Sequence, residues 1–492
     1  MDGARYADTI VRKLLWSFAC VLALLASPAW ADPSPIPFTI PSGFHVTASQ
    51  EVAPGVVHAT LVRRSPADVV NVAAREAGSK AELRVMLSND AVGGTEPRLE
   101  RTSSMCRRVD CLIAVNGDFF GAVASEPVGA VVDGGQLLRS PSRQHHQLTE
   151  SPDGSFSTGQ LGWRGTLVPS DLQQIDLDGV NVPREANEVV LYTPAEGPTT
   201  GANQYGVELA LQVVRPVGPI LLGTTTLVRL LELRHGGDTP IPPDGAVLSG
   251  HGRGQRSLEN LWARVQAGTA DPEALLRLDV TPGAEESVGG SPILVRDGKR
   301  WFADEPRDLY RLRAPRTLAG WTPDGTLLLV TVDGRQAGYS AGMTMDEAAA
   351  LMIGLGAVEA INLDGGGSTA FVVDGVIVNR PSDRAVRRDG KTVVVKSPRA
   401  GERVLGNIER PVAVGLALIG PRAVTPLLGG ALPSTMVSPL DKGDVAGSGP
   451  GIVLAGGPGL NASAIAMVLA ALAAAVVSAR RRRVVAGVSP LG

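Results

Sequence analysis

Short runs of β-branched residues that end in Asp-Gly or Gly-Gly pairs constrain the fold of this chain more than any other feature. Three segments predict complete hairpins, because an apolar run, a glycine turn and a second run follow one another: 131–138, 293–299 and 371–378. Type I′ turns need positive φ at both central residues, and Asp-Gly supplies it. The spacing of these turns predicts a chain built mainly from short strands.

Helical patterns are fewer. The capping box at 344–347 predicts a helix that ends near Gly356. Another helix is expected at 66–73 or at 258–266. We therefore predict an α+β fold in which strand-dominated mixed sheets carry a few inserted helices in a single large domain, followed by a C-terminal transmembrane helix.

The two ends of the chain predict export and anchoring. Arg12 and Lys13 precede a short apolar run, and Ala29-Trp30-Ala31 has the pattern of a signal-peptidase site. Residues 460–479 are apolar and uncharged, long enough to span a bilayer, and four arginines follow them. We expect a single-pass protein of the cell membrane with its large domain outside and its C-terminus in the cytoplasm. The predicted segments are a signal peptide (1–31), a Pro-rich segment (32–50), the large domain (51–420), a stalk (421–459), the spanning helix (460–479) and a basic tail (480–492).

Composition limits the partners of the large domain. The net charge is −3, which gives no support for nucleic acid as a partner. Cys106 and Cys111 are an even pair in an exported chain, so we predict a disulfide between them. Neither a nucleotide-binding motif nor the spacing of a metal site occurs, and we expect no cofactor and no metal. The oligomeric state is left open.

The segment from Asn362 to Thr369 is the strongest candidate for a functional loop. A buried apolar run delivers Asp364 to three glycines, Gly365, Gly366 and Gly367, and then to Ser368. Glycines let the backbone approach a ligand closely, and successive N–H groups can point at an anion. An acid beside such amides suits chemistry on a phosphorylated substrate.

Several segments in this order resemble the phosphodiester glycosidase family. They include 116–120, 289–292, 315–317, 333–335, 362–368, 379–383 and 409–412. The similarity extends over roughly residues 50 to 420. It implies hydrolysis of a sugar-1-phosphodiester, and for an exported chain we expect a cell-envelope or exopolysaccharide glycan as substrate.

Charged and polar residues at four strand ends complete the predicted site. If the strands before Asp333 and Asp364 are neighbours, both acids lie at one sheet edge. Asp364 is the first choice for the carboxylate that activates water or attacks the anomeric carbon, and Glu409 is the second. Asp118 is a third catalytic candidate. The predicted substrate and phosphate ligands are Asn116, Asp333, Arg335, Gly365, Gly366, Gly367, Ser368, Asp383 and Arg410.

Two other readings of the site stay open. The domain could bind an envelope glycan without turnover, or it could be a phosphodiesterase that cuts the P–O bond. Ser340 lies in a G-x-S-x-G pattern, but no histidine follows it, which argues against a serine hydrolase. His145 and His146 lack metal-ligand spacing, and we expect them to be exposed loop residues.

Overall fold

The computed structural model describes residues 36–93, 99–121, 125–141, 145–302, 308–396, 398–399 and 401–422. The expected signal peptide, spanning helix and basic tail lie outside these residues, as does all but the start of the expected stalk. Among the described residues, no helix combines the length and the apolar character needed to cross a membrane. The C-terminal anchor therefore stays a prediction.

Two eight-stranded sheets form most of the domain. Sheet 1 contains, in spatial order, β1 (Phe44–Ala53), β2 (Val56–Arg64), β3 (Ala67–Arg75), β22 (Leu327–Val332), β21 (Arg316–Trp321), β23 (Glu359–Asn362), β19 (Ile293–Arg296) and β20 (Lys299–Arg300). Sheet 2 contains β11 (Ile175–Leu177), β10 (Gly162–Pro169), β17 (Glu273–Thr281), β15 (Thr225–His235), β14 (Val207–Arg215), β16 (Gly245–Gly250), β13 (Val189–Tyr192) and β12 (Gly179–Val180).

Three smaller sheets connect and flank these two. Sheet 3 contains β7 (Gln136–Arg139), β6 (Val131–Asp133), β18 (Glu286–Gly290), β8 (His146–Glu150) and β9 (Phe156–Gly159). Sheet 4 contains β25 (Val376–Ile377), β24 (Phe371–Val373), β5 (Ile113–Asn116), β29 (Val414–Ile419) and β4 (Glu82–Leu87). Sheet 5 contains β27 (Lys391–Val395), β26 (Asp383–Arg388) and β28 (Val404–Ile408). The predicted α+β fold, strand-dominated and in one large domain, is confirmed.

The helices of the described residues are few, as the sequence predicts. They are α1 (Thr102–Arg108), α2 (Arg253–Gln266), α3 (Asp308–Arg311) and α4 (Met345–Gly354). The capping box of α4 is confirmed, because Thr344 accepts from the Glu347 amide and Glu347 accepts from the Thr344 amide. Of the two places expected for a second helix, 258–266 is confirmed, because it lies within α2. The alternative at 66–73 is wrong: β-branched residues there form β3, which is buried between β2 and β22.

The three predicted hairpins are confirmed. Asp297 and Gly298 join β19 to β20 with φ of 50° and 69°, and Asp374 and Gly375 join β24 to β25 with φ of 50° and 74°. The turn between β6 and β7 uses the two glycines 134 and 135 instead of the Asp-Gly pair. Positive φ at both positions gives the backbone twist that matches the flanking strands.

Sheet 1 has an apolar layer on each face. Helix α4 covers one face, where Met345, Ala348 and Met352 pack with residues of β3, β21 and β22. Sheets 3 and 4 cover the other face through a cluster that includes Val288, Val115 and Leu416. Sheet 2 has a separate core, completed by α2. The edge of sheet 1 next to sheets 3 and 4 is where the candidate site residues meet.

Candidate active site

The two acids that follow strands of sheet 1 lie at the same sheet edge, although their strands are not direct neighbours. Strand β21 lies between β22 and β23 and is antiparallel to both. The two outer strands therefore run in the same direction, and Asp333 and Asp364 follow their carboxyl ends. The expected direct pairing of these strands is wrong, but its consequence for the two acids holds.

Asn116 connects the Asp364 loop to sheet 4 through side-chain hydrogen bonds. Its side-chain amide donates to the backbone carbonyl of Asp364 at 2.6 Å. Its oxygen accepts from the Thr317 hydroxyl at 2.6 Å and from the Ala370 amide at 3.1 Å. The Asp364 amide donates to the carbonyl of Gly117 at 2.9 Å. Asn116 is fully buried, so it positions the loop from behind.

Asp364 is the candidate acid that reaches the surface. It is partly exposed, whereas Asp118, Asp333, Asp383 and Glu409 are buried. The surrounding protein raises the pKa of Asp364 to about 6, chiefly by desolvation and to a smaller extent through the nearby charge of Asp118. Hydrogen bonds from Ser368 and the Gly365 amide, and the charge of Arg410, act in the opposite direction. Asp364 is therefore a partly exposed residue whose carboxylate has a pKa of about 6.

The three glycines after Asp364 allow charged side chains to pack against the backbone. A Cβ atom on Gly367 would collide with the guanidinium of Arg410 and the carboxylate of Asp383. Gly366 has φ of 65°, and a Cβ there would press on Arg335. The Gly366 amide donates to the Pro315 carbonyl at 2.9 Å, so this member of the predicted anion-binding amides is already occupied.

The two arginines that lie over this glycine loop differ in their hydrogen-bond partners. Arg410 forms a bidentate pair with Asp383, with Nε to Oδ2 at 2.9 Å and Nη2 to Oδ1 at 3.0 Å, and its Nη1 lies 3.4 Å from the Ser368 hydroxyl. Arg335 is exposed, and its guanidinium makes no hydrogen bond to any described residue. Its backbone is held at a φ of 59°, which non-glycine residues rarely adopt. Arg335 is therefore available to an anion, while Asp383 holds Arg410 in place.

Asp333 is a buried support of the neighbouring turn. Its carboxylate accepts from the Asn379 side chain at 2.8 Å, the Arg380 amide at 2.9 Å and the Tyr339 hydroxyl at 2.8 Å. Burial raises its pKa to about 6. Its backbone carbonyl accepts from the hydroxyl of Ser340, which is also buried. These contacts place Asp333 behind the site surface, where it fixes the segment that leads to Asp383.

Glu409 is tied to helix α1. Its two oxygens accept from the Ser103 amide at 2.8 Å and the Ser103 hydroxyl at 2.6 Å. Burial raises its pKa, and both bonds to Ser103 oppose that shift. The predicted disulfide between Cys106 and Cys111 is confirmed, and it closes the other end of α1. Glu409 thus joins α1 to the segment that carries Arg410.

The sequence interpretation missed one histidine of the site. His145 Nε2 lies 2.7 Å from Asp118 Oδ1, and the His145 side chain is 11% exposed. The expectation that it is an exposed loop residue is therefore wrong. A histidine and an acid 27 positions apart give no spacing signal, and only the fold brings them together.

The described residues contain no group of three His, Cys, Asp or Glu side chains arranged to hold a metal ion. Asp118 and Asp364 are close enough for their charges to interact, yet His145, the Phe119 amide and the Gly129 amide occupy the oxygens of Asp118. The described site therefore consists of acids, arginines, a histidine and backbone amides.

Residues 233–396 match the model of the phosphodiester glycosidase family. Over these residues the chain is similar to phosphodiester glycosidases. The matched residues include Asp333, Arg335, the Asp364 loop and Asp383. Asp118, His145 and Arg410 lie outside them, and the fold brings these residues to the same edge.

Short stretches of curated proteins are similar to this domain. A prophage-derived uncharacterized protein of Bacillus subtilis, YomE, is 35% identical over 121 residues, which is 24% of this chain and 18% of that protein. Bovine N-acetylglucosamine-1-phosphodiester alpha-N-acetylglucosaminidase is 38% identical over 91 residues, which is 17% of each chain. The chain thus spans less than a fifth of the length of these relatives.

Two solved structures share the fold of this domain over a larger part of the chain. A protein from Burkholderia pseudomallei has a TM-score of 0.50 and 25% identity, covering 72% of this chain and 74% of its own. A protein from Synechocystis has a TM-score of 0.54 and 18% identity, covering 77% of this chain and 68% of its own, which shows likeness of fold.

Proposed function

We propose that the domain hydrolyses a glycosyl phosphodiester at the bond between the anomeric carbon and the phosphate oxygen. The observation that carries this proposal is the environment of Asp364. The residue is partly exposed, its pKa is raised to about 6, and Arg335 and Arg410 lie over the loop that follows it. An acid beside two guanidinium groups suits a substrate with a reactive carbon next to a phosphate.

The leaving group explains what these residues contribute. Breaking the C–O bond releases a phosphate monoester, whose second pKa is about 6, so it departs more readily than an alcohol. The developing charge on phosphate needs cationic donors, and Arg335 has a free guanidinium to offer. Asp364 then attacks the anomeric carbon or removes a proton from the attacking water.

Asp364 is preferred over Glu409 as the reacting carboxylate. Both carboxylate oxygens of Glu409 accept hydrogen bonds from Ser103, and Glu409 is only 8% exposed. Asp364, in contrast, is partly exposed. A nucleophile or base must touch its substrate, and access therefore decides between the two. Glu409 remains a candidate through its link to Arg410, the next residue in the chain.

The decisive experiment is hydrolysis of a synthetic sugar-1-phosphodiester in ¹⁸O-labelled water. Label in the released sugar supports C–O cleavage. Label in the phosphate product instead means P–O cleavage, and absence of turnover across a panel of sugars favours a glycan-binding protein. Asp364→Asn should abolish turnover. Asp297→Asn is the matched control, because it makes the same change in an exposed hairpin turn where Asn tolerates the positive φ.

We further propose that this activity is displayed outside the cell, on an envelope or exopolysaccharide glycan. The support is the signal-peptide pattern at residues 1–31 and the apolar segment 460–479 with its four arginines. A chain truncated after Gly420 should then be secreted and active, while the full-length chain should fractionate with membranes. Recovery of the full-length chain from the medium with its C-terminal arginines intact would contradict the anchor.

A further inference from the structure

A buried carboxylate and a histidine form a pair beside Asp364. Asp118 is fully buried, and its Oδ1 lies 2.7 Å from His145 Nε2. The backbone amides of Phe119 and Gly129 also donate to this carboxylate, at 2.7 and 2.6 Å. All the oxygens of Asp118 are therefore engaged, and Asp118 has no surface with which to touch a substrate. The catalytic role of Asp118 stays a prediction, and its burial favours a role that acts through His145.

Two glycines make room for this pair. A Cβ atom on Gly289 would overlap the Asp118 carboxylate, and one on Gly129 would press on the His145 ring and on Gly289. Both positions thus leave space that a larger residue would fill. Phe119 contacts the His145 ring edge-on, with centroids 6.1 Å apart. The imidazole is held on several sides, yet its Nδ1 has no hydrogen-bond partner among the described residues.

The pair lies near Asp364, and a backbone hydrogen bond links the two segments. The Asp364 amide donates to the carbonyl of Gly117, the residue before Asp118. The charge of Asp118 also contributes to the raised pKa of Asp364. A histidine held by a buried acid next to a second acid is the arrangement of an oriented proton carrier, because the buried acid fixes the ring and its tautomer. A purely structural ion pair would not need an unpartnered Nδ1 at the surface.

We propose that His145, oriented by Asp118, is the general acid and base of the Asp364 site. The inference rests on the proposed glycosyl phosphodiester hydrolysis. As the bond between the anomeric carbon and the phosphate oxygen breaks, the His145 imidazolium gives its proton to the departing phosphate. The bonding electron pair leaves with that phosphate, and an oxygen of Asp364 forms the new bond to the anomeric carbon. Water then attacks the same carbon, the Asp364 carboxylate leaves with its bonding pair, and the neutral imidazole takes the proton lost by the water, so the site is regenerated.

The leaving group also explains why a histidine suits this task. The phosphate monoester has a second pKa of about 6, so it can accept a proton near neutral pH, and histidine is the side chain most often used as a general acid. Asp118 and the neighbouring His146 are the titratable groups that face His145 in the described residues.

The test uses His145→Gln, because the Gln side-chain nitrogen replaces Nε2 and can still donate to Asp118. We expect kcat on an alkyl sugar-1-phosphodiester to fall by about 10² to 10⁴ with little change in KM. The loss should be smaller for a p-nitrophenyl phosphodiester, whose leaving phosphate is a weaker base. Asp118→Asn should reduce kcat in the same direction. His235→Gln, at an exposed strand end, is the matched control and should behave as wild type.

The outcomes separate this inference from the proposed function. If the wild type is active and His145→Gln has the same kcat and the same dependence on the leaving group, the role of His145 is overturned but the proposed function is not. Equal losses on both esters, with a lowered thermal midpoint, would also overturn it and indicate a structural pair. Absence of wild-type C–O cleavage on every sugar tested would overturn the proposed function, and this inference with it. If His145→Gln does not fold, the ester dependence of Asp118→Asn decides in its place.

Discussion

Asn116 donates its side-chain amide to the backbone carbonyl of Asp364 at 2.6 Å and thereby joins strand β5 of sheet 4 to the glycine loop of sheet 1. The two residues are 248 positions apart. Asn116 also accepts from the Thr317 hydroxyl and the Ala370 amide. Together with the bond from the Asp364 amide to the Gly117 carbonyl, this buried side chain positions Asp364 where the two sheets meet.

Replacing Asn116 by Ala should weaken both the fold and the activity. The change leaves the buried Ala370 amide, the Thr317 hydroxyl and the Asp364 carbonyl without this partner. Each uncompensated buried polar group costs on the order of 1–3 kcal/mol, so we expect a loss of several kcal/mol in the free energy of unfolding. Urea denaturation measures it, and a loss below about 1 kcal/mol would show that the loop is held by other contacts.

Much of the fold was predictable because it depends on local chemistry. The hairpin turns at Asp297 and Asp374, and the capping box at Thr344, are set by residues adjacent in sequence. The strand β3 was mistaken for a helix because its partners β2 and β22 decide its conformation, and β22 lies more than 250 residues further along the chain. Tertiary pairing overrides a local helix signal in such cases.

The sequence predicted which residues form the site, but it did not predict which of them are buried. The glycine loop identified Asp364 because a strand, an acid and glycines are consecutive in the sequence. The sequence could not show that Asp333 and Asp118 are buried behind the surface, since their partners Asn379, Tyr339 and His145 come from separate segments. The structure was therefore needed to decide which of these residues can contact a substrate.

The pairing of Arg410 with Asp383 predicts that an Arg-to-Lys change is costly here. A planar guanidinium makes two parallel bonds to Asp383, and an ammonium cannot reproduce that geometry. We expect Arg410→Lys to raise KM at least tenfold and to lower the free energy of unfolding by about 1–3 kcal/mol. Asp383→Asn should show the same pattern, because it releases the same arginine. Unchanged KM in both variants would remove Arg410 from the phosphate site.

Arg335 should separate substrate binding from stability. Arg335 is exposed and its guanidinium has no hydrogen-bond partner among the described residues, so removing it breaks no hydrogen bond there. Arg335→Gln should therefore keep the wild-type thermal midpoint while KM for the phosphodiester rises, and the increase should be smaller at high salt because screening already weakens the wild type. Arg384→Gln, an arginine that contacts the Arg335 backbone, is the nearby control. Equal KM values for wild type and Arg335→Gln would exclude Arg335 as a phosphate ligand.

The Cys106–Cys111 disulfide should stabilise helix α1 and, through Ser103, the position of Glu409. Closing a loop this short removes unfolded-state entropy worth about 2 kcal/mol. We expect Cys106→Ala with Cys111→Ala to lower the free energy of unfolding by about that amount. Intact mass of the purified protein, alkylated with and without reductant, checks the bond itself. Two thiols alkylated without reductant would contradict it.

The raised pKa of Asp364 predicts opposite effects of pH on activity and on stability. Its folded pKa of about 6 lies above the ordinary value of about 3.9 for an unfolded aspartate. A carboxylate that must attack or take a proton is active when ionised, so activity should rise as pH increases through about 6. The folded state, in contrast, favours the neutral form. The stability that this group contributes is fully present below about pH 4 and is lost as pH rises through about 6.

Asp364→Asn isolates this effect, because Asn stays neutral at every pH. Relative to wild type, the variant should gain up to about 3 kcal/mol in the free energy of unfolding between pH 4 and pH 8, while its turnover is abolished. Burial also raises the pKa of Asp333 to about 6, but this group is present in both proteins and cancels in the difference. Urea denaturation of the two proteins across this range measures the effect. A stability difference that does not change with pH would show that Asp364 titrates as an ordinary exposed aspartate, and its place as the neutral-pH carboxylate of the site would be lost.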